Sequence, residues 1–339
     1  MNRYKKNVLA LIAGVLLTLA GGLAYAGGDH GRPAVDRVHG ALSVMVLGSA
    51  GPQIMAGTGR ASAGYLVFTD GKPRVLMDLG GGTFERIAKS GAHIHSVSDI
   101  LISHLHIDHS SELPAVIKGL YFDGRIQGSP VTQPLQIWGP DNARHLAHFK
   151  PLSDYLAQLF GSGGLFAYMK SFVDNGRLGH FGYQAHDLNS DFHNASIRTL
   201  VDRNGLVIKA IAVDHFDAPA VAYRIEYKGH SIVYTGDTHS TTDNLERLAR
   251  GADLLIYDTS ILDNAPPPPS AFAKRHTTPS RLGQVAAAAD PRELVLSHLT
   301  PVSLPNIHSI EHIVRNQGYA GKISEAQDLK VYNVADDDE

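Results

Sequence analysis

No cysteine occurs anywhere in the 339 residues. Disulfides, thiolate ligands and a cysteine nucleophile are therefore excluded, and any bound metal must be held by nitrogen and oxygen. There is no internal repeat, and the apolar run Val8 to Ala20 falls short of the roughly 20 residues that a membrane-spanning helix needs. That run follows Arg3, Lys5 and Lys6 and precedes Ala24-Tyr25-Ala26, the three-part pattern of a secretory signal with an A-x-A cleavage site. We expect residues 1–26 to be removed and the mature protein to be periplasmic or secreted, with a retained anchor as the alternative. Without cysteine, lipidation is excluded. Positive charge is scarce as well: three of the 30 basic residues and none of the 33 acidic ones lie in residues 1–26, which leaves 27 against 33, a net −6. Such a surface has no general attraction for a long polyanion, so we expect a small-molecule ester substrate, no nucleic-acid polymer and no stable membrane association. Oligomeric state is not legible.

What is present begins with Ile102-Ser103-His104-Leu105-His106-Ile107-Asp108-His109-Ser110. Four potential metal ligands fall within six positions, directly after the apolar stretch Asp99 to Ile102. In an extended segment alternate side chains share a face, so His104 and His106 can address one ion while Leu105 and Ile107 point away. A turn into helix near Ser110 swings Asp108 and His109 toward a second point. Unliganded, three imidazoles and a carboxylate on one turn would crowd polar groups that each need a partner. The spacing predicts two adjacent metals.

Hydrophobic content of 43% is ample for a core, and the length permits one or two domains. After a loose arm at 27–40 we expect one domain over 41–335. A strand at Ala41 to Leu47 and a hairpin of Ala63 to Thr69 with Pro73 to Leu79 lead, past Gly80-Gly81-Gly82, to a helix at Thr83 to Ser90. Asp78 ends its strand, either supporting the metal loop or acting as an ordinary capping carboxylate. Helices are expected at Ser111 to Leu120, Asp141 to Phe149 and Pro151 to Phe160. The insertion at about 141–193 is least regular from Gly161 to His193; its aromatics, Phe166 and Tyr168 among them, fit a lid or local packing, and its His180, His186 and His193 read as surface histidines. Hairpins turn at Asn204-Gly205 and Lys228-Gly229. Strands at Ala252 to Tyr257, Leu294 to Ser297 and Lys330 to Val334 follow, with helices at Thr242 to Ala249, Pro279 to Ala288 and Asn306 to Asn316. Pro266 to Pro269 reads as a stiff connector, and Asp336 to Glu339 as a frayed acidic end.

Three further candidates stand where predicted strands end: His215 in Val213-Asp214-His215-Phe216, Asp237 in Thr235-Gly236-Asp237-Thr238, and His298 in Ser297-His298-Leu299. With H-x-H-x-D-H, Ala222-Tyr223-Arg224 and His276-Thr277-Thr278, they come in an order that resembles the ribonuclease Z-like branch of the metallo-β-lactamase superfamily, which is similar also to secreted arylsulfatases. The resemblance spans roughly Leu42 to Val334 and implies a four-layer αββα sandwich of the α/β (α+β) class. It also implies two divalent ions, one on His104, His106 and His215, the other on Asp108, His109 and His298, bridged by Asp237. Zinc suits these donors, with manganese or iron as alternatives. The related β-lactamases lack the bridging carboxylate.

Two ions that share a hydroxide imply a hydrolase whose nucleophile is that hydroxide. Asp108 lies beside it, and His276 matches a histidine at the leaving group, a general acid by resemblance and otherwise a helix-cap neighbour before Pro279. The expected substrate is a small phosphodiester, with sulfate esters, lactones or β-lactams as alternatives and a non-catalytic metal or ligand binder as the reading from another class. Two departures stand out. Ribonuclease Z carries a long insertion before Gly-Asp-Thr that grips transfer RNA, whereas Arg224 to Asp237 holds only a hairpin. Asp258 stands where the branch often shows His-Glu-Ala-Thr, so its role stays open.

Overall fold

Alternation along the apolar runs sorts each strand's side chains between two cores. In the computed structural model, residues 32–174, 179–193, 195–264 and 270–334 are described. The first sheet takes β1 (Leu42–Gly48), β2 (Gly64–Thr69), β3 (Lys72–Leu79), β4 (Asp99–Leu101), β5 (Leu135–Pro140) and β6 (Tyr183–Leu188). The second takes β7 (Arg198–Arg203), β8 (Leu206–His215), β9 (Ala218–Tyr227), β10 (His230–Tyr234), β11 (Leu254–Asp258), β12 (Glu293–Ser297) and β13 (Lys322–Glu325). The last strand, β14 (Val331–Val334), returns to pair with β1, so each sheet has seven strands, ordered β14-β1-β2-β3-β4-β5-β6 and β13-β12-β11-β10-β9-β8-β7.

Val44, Val46, Tyr65, Val67, Val75 and Met77 face Ile208, Tyr223, Ile225, Ile232 and Ile256 between the sheets. Their neighbours Met45, Leu47, Leu66, Phe68 and Leu76 point the other way, onto α1 (Thr83–Ser90), α2 (Ile107–Ser110), α3 (Leu113–Ile126), α4 (Leu152–Phe160) and α5 (Tyr168–Val173), where Leu113, Val116, Ile117 and Leu120 meet them. On the far side Ile211, Val213, Val233 and Leu255 pack against Leu245 of α6 (Asn244–Ala249), Leu282 and Val285 of α8 (Pro279–Ala289) and Ile310 of α9 (Ile307–Asn316), with the short α7 (Ser270–Arg275) preceding α8. The result is the expected four-layer αββα sandwich. Each of these fully buried aliphatic chains contributes about 1.5–3 kcal/mol, which is why strands buried on both faces read as continuous apolar runs.

The strands from β3 to β6 run parallel, as do those from β10 to β13. Their carboxyl ends open on one edge of the sandwich, where loops of an α/β sheet gather functional groups. Glu112 braces that edge: its carboxylate accepts from the backbone N–H of Gly82 (2.8 Å) and Phe84 (2.6 Å), capping α1, which has no capping side chain of its own.

Several expectations change. Asp141 to Phe149 is not a helix: the Asn142 side chain donates to the carbonyls of Leu146 and Phe149 and accepts from Leu146 N–H, and Asp141 accepts from Ala143 N–H, so side chains take the groups a helix would use. Within the supposedly irregular Gly161 to His193, α5 forms and β6 extends the first sheet by pairing with β5. Phe160 sits 6.4 Å from Phe166, 5.6 Å from Phe181 and 5.8 Å from Tyr183, centroid to centroid, and this cluster packs on the first sheet's outer core. Phe166 takes part in this packing, whereas Tyr168 is exposed. His186 is no free surface residue but stacks on Trp138 at 3.8 Å. The described end of the arm is docked: Ala34 is buried, and Arg37 donates to the Leu329 carbonyl. The signal segment, Pro266 to Pro269 and the acidic end lie outside the described residues. Among those described, no helix is long and apolar enough to cross a membrane.

Candidate metal centre

Every one of the seven predicted ligands sits just beyond or at the end of a strand: His104 to His109 after β4, His215 closing β8, Asp237 after β10 and His298 after β12. Close backbone approach makes this possible. A Cβ on Gly80 would lie 1.9 Å from the Asp108 carbonyl oxygen, and one on Gly236, at φ +58°, would lie 2.6 Å from Ser103 Cβ. Only glycine lets the Gly-Asp-Thr turn settle on the histidine loop.

The structure brings all seven together as two sets of four donors. His104 Nε2 lies 2.9 Å from His106 Nδ1 and 3.8 Å from Asp237 Oδ2; His215 Nε2 lies 3.3 Å from His106 Nδ1 and 3.9 Å from Asp237 Oδ2. In the second set His109 Nε2 is 3.1 Å from His298 Nε2, and Asp237 Oδ1 is 3.4 and 3.3 Å from those two nitrogens. Asp108 Oδ2 closes this set at 3.4 Å from His109 and 3.3 Å from His298. Four donors about 2.0–2.1 Å from a tetrahedral ion stand about 3.3 Å apart.

What lies behind the ligands fixes which nitrogen carries hydrogen. Ser103 Oγ donates to Asp78 Oδ2 at 2.6 Å, leaving its lone pair for His104 Nδ1–H at 3.1 Å. His109 Nδ1–H donates to Asp78 Oδ2 (2.7 Å) and His215 Nδ1–H to the Arg275 carbonyl (2.7 Å). Ser260 Oγ donates to Asp258 Oδ1 (2.6 Å) and accepts from His298 Nδ1–H (2.7 Å). Each of these four imidazoles therefore turns Nε2 inward, toward other ring nitrogens and carboxylate oxygens. Asp237 Oδ1 is buried without any hydrogen-bond partner. Ring nitrogens facing each other at 3.1 Å repel unless a cation lies between them, so the donor set fits divalent metal.

Residues 74–299 match the family model of the β-lactamase superfamily domain. The chain belongs to the metallo-β-lactamase superfamily. A ribonuclease Z of Mycobacterium marinum is 27% identical over 298 residues, covering 85% of this chain and 97% of the relative. The short form of human tRNase Z superposes with a TM-score of 0.62 at 22% identity, over 86% of this chain and 99% of that one. The metallo-β-lactamase fold protein YhfI of Bacillus subtilis gives 0.59 at 18% identity, over 86% and 98%. Within the superfamily the chain is ribonuclease Z-like and a metallo-hydrolase, which removes the reading as a non-catalytic binder.

These superfamily relatives also correct the expectation that no nucleic-acid polymer is a partner. A ribonuclease and a tRNase are by name enzymes of RNA, and they match over almost their entire lengths. The exclusion rested on net charge, which averages the whole surface and says nothing of the potential at the mouth of one site, together with the expected export and the short Arg224 to Asp237 hairpin, neither of which bears on the catalytic site itself.

Electrostatics in this superfamily site follow from burial and crowding. Burial alone would raise the Asp237 carboxyl, but the charges of His298, His109 and His276 hold it far below the usual carboxylate range. Asp108 is likewise depressed, by His109 and His298 against burial. Burial drives His104 well below the ordinary histidine value, with repulsion from its neighbouring imidazoles, and brings His215 down to about 3. His298 goes the other way: burial opposes it, yet Asp237, Asp108 and Asp258 push it up to about 10. Burial opposes His109 too, yet Asp237, Asp108 and Asp78 raise it well above the ordinary value, so these two rings carry protons that a divalent ion would displace, while His104 and His215 are already neutral.

His276 adjoins both sets: its ring lies 5.6 Å from those of His215 and His298, its Nδ1 lies 4.0 Å from Asp237 Oδ2, and with Asp237, Asp258 and His298 it makes a third group of clustered donors. Its Nδ1 is 2.7 Å from Asp258 Oδ2, an interaction buried on both sides. That contact settles the role left open for Asp258, and Asp78 is equally resolved: it accepts from Ser103, His109 and Tyr234 at 2.6–2.7 Å. Ser260 and Tyr234 were missed, because a lone Ser or Tyr after a strand carries no spacing signal.

Proposed function

We propose that this chain is an exported phosphodiester hydrolase that works with two divalent ions, zinc matching the imidazole and carboxylate donors best. One observation carries the reading. Asp237 presents Oδ2 to His104 and His215 and Oδ1 to His109 and His298, with Oδ1 otherwise unpartnered. A carboxylate split in this way serves two cations and has no use at one. When bound, such a pair supplies an acidified water and offsets negative charge developing on the ester oxygens.

The chain's own residues do the rest. His104, His106 and His215 hold one ion, Asp108, His109 and His298 the other, and Asp237 both. Asp108, at 7% exposure against 2% for Asp237, is the ligand carboxylate a substrate meets first. His276, oriented by Asp258, delivers a proton to the departing oxygen, a role that needs a fixed ring within reach of the leaving group. The ribonuclease Z relatives support phosphodiesters over β-lactams, and they keep RNA beside aryl and cyclic-nucleotide diesters in the substrate class. The basic, apolar and A-x-A segments of residues 1–26 support export.

A panel of bis-nitrophenyl phosphate, a short RNA with a 3′ extension, nitrophenyl sulfate, nitrocefin and a homoserine lactone tests the reading, with and without chelator. Chelator-sensitive turnover is expected on a phosphodiester. Turnover confined to the sulfate, lactam or lactone would reject the substrate class, and metal content near one ion per chain would reject the bridging role of Asp237.

A further inference from the structure

Apolar side chains, two exposed and two half-buried, gather around one half of the centre. Ile107, between ligands His106 and Asp108, is 76% exposed, and Phe216, directly after ligand His215, is 38% exposed. Phe149 holds its ring 5.8 Å from that of His106, and Phe272 holds its ring 4.3 Å from that of His276. Two phenyl rings thus lie against His106 and His276, and a third belongs to the residue that follows His215, next to Lys274 of the helix that carries Phe272.

Phe216 is the most informative. It adopts φ +56°, a left-handed conformation that is an outlier for a bulky residue. The surroundings hold it there: its N–H donates to Asp214 Oδ1 (2.9 Å), its carbonyl accepts from Arg144 Nη1 (2.8 Å), and Lys274 Nζ lies 5.2 Å from the ring centroid. A strained backbone at a phenylalanine left 38% exposed is not explained by core packing, and strain of this kind collects at binding sites. Arg144 and Lys274 add positive charge beside it.

We propose that Phe216, with Phe149 and Phe272, forms a stacking subsite for a planar aromatic group carried by the anionic ester, on the side from which His276 protonates the leaving oxygen. The inference rests on the reading of the centre as an ester hydrolase. Apolar rings stack on any planar π-face, and Lys274 and Arg144 draw the attached anion. An aryl group and a nucleobase share this chemistry.

Affinities measured by calorimetry on metal-loaded protein separate the cases: diphenyl phosphate for the aryl source, a dinucleoside monophosphate for the nucleobase, diethyl phosphate as the aliphatic control. The wild type is expected to prefer one aromatic ligand over diethyl phosphate by roughly five- to a hundred-fold, the range of one stacked ring. Phe216→Gly removes the ring and relieves the backbone, so that preference should collapse while the melting temperature holds or rises. Phe272→Leu, which keeps apolar volume, should lower it several-fold. No aromatic preference in the wild type, or an unchanged preference in both variants, overturns the proposal, as does a lower melting temperature of Phe216→Gly with preference intact. Collapse of the preference in a protein that hydrolyses no phosphodiester would uphold the subsite and remove only the hydrolase reading; turnover with unchanged preference would do the reverse.

Discussion

Asp78→Asn is the sharpest probe of how the centre is held. Asp78 is fully buried, and its two oxygens accept from Ser103 N–H (2.7 Å), Ser103 Oγ (2.6 Å), His109 Nδ1 (2.7 Å) and Tyr234 Oη (2.6 Å), the last three all at Oδ2. Its backbone lies at φ +50°, which asparagine tolerates about as well as aspartate, so the substitution tests hydrogen bonding and not the turn. With its carbonyl toward the three donors, asparagine sets its NH₂ against Ser103 N–H; turned over, it sets NH₂ against all three. Even the better orientation loses one charge-assisted bond, about 1.5–3 kcal/mol, and weakens three by about 0.5–1 kcal/mol each. We expect about 3–5 kcal/mol less stability in urea unfolding of the chelated protein, the cost typical of a broken buried network. Metal affinity should fall 10–100-fold as His109 loses its orienting partner. A variant within about 0.5 kcal/mol of wild type that also binds metal normally would refute this reasoning.

Three other outcomes follow from the same contacts. Asp237→Asn should drop bound metal, measured by elemental analysis, from about two ions toward one or none, since an amide cannot serve both sets as an anion; full occupancy would contradict the bridging role. His276→Ala should keep its metal yet lose about 10²–10⁴ in kcat, with the loss smallest for substrates whose leaving group is already a good anion; equal loss on all substrates would point to a positioning role. Far from the centre, Asp123 accepts from His93 and His95, and although burial works to raise its carboxyl, these bonds hold it below the usual carboxylate range. A depressed carboxyl stabilises above its unfolded value and loses that contribution as pH falls through the folded one. Asp123→Asn should therefore cost about 0.5–1 kcal/mol near neutrality and nothing in strong acid; a constant difference across that range would be evidence against the pairing.

Most strands were legible from the chain because they are buried on both faces and their turns carry glycine at Asp70-Gly71, Asn204-Gly205 and Lys228-Gly229, while their assembly into a four-layer sandwich came from the family resemblance. Elements that depend on partners were not. β13 reads Lys-Ile-Ser-Glu and is half exposed, a strand only because β12 offers it a backbone to pair with. Asp141 to Phe149 has helical periodicity, yet the Asn142 side chain competes for its backbone.

From the chain alone, the H-x-H-x-D-H motif and the family resemblance named seven candidate ligand side chains, with no cysteine to compete. The family resemblance already implied how the seven divide between two sets; the folded structure was needed to show which oxygen of Asp237 faces which set, and that Asp78, Ser260 and Asp258 contact the rings from behind. Those facts depend on atoms separated by as many as 190 residues and brought within 3–4 Å. Linear spacing records who is on each strand; only the packing of one sheet on the other sets the distances and lone-pair directions on which the chemistry depends.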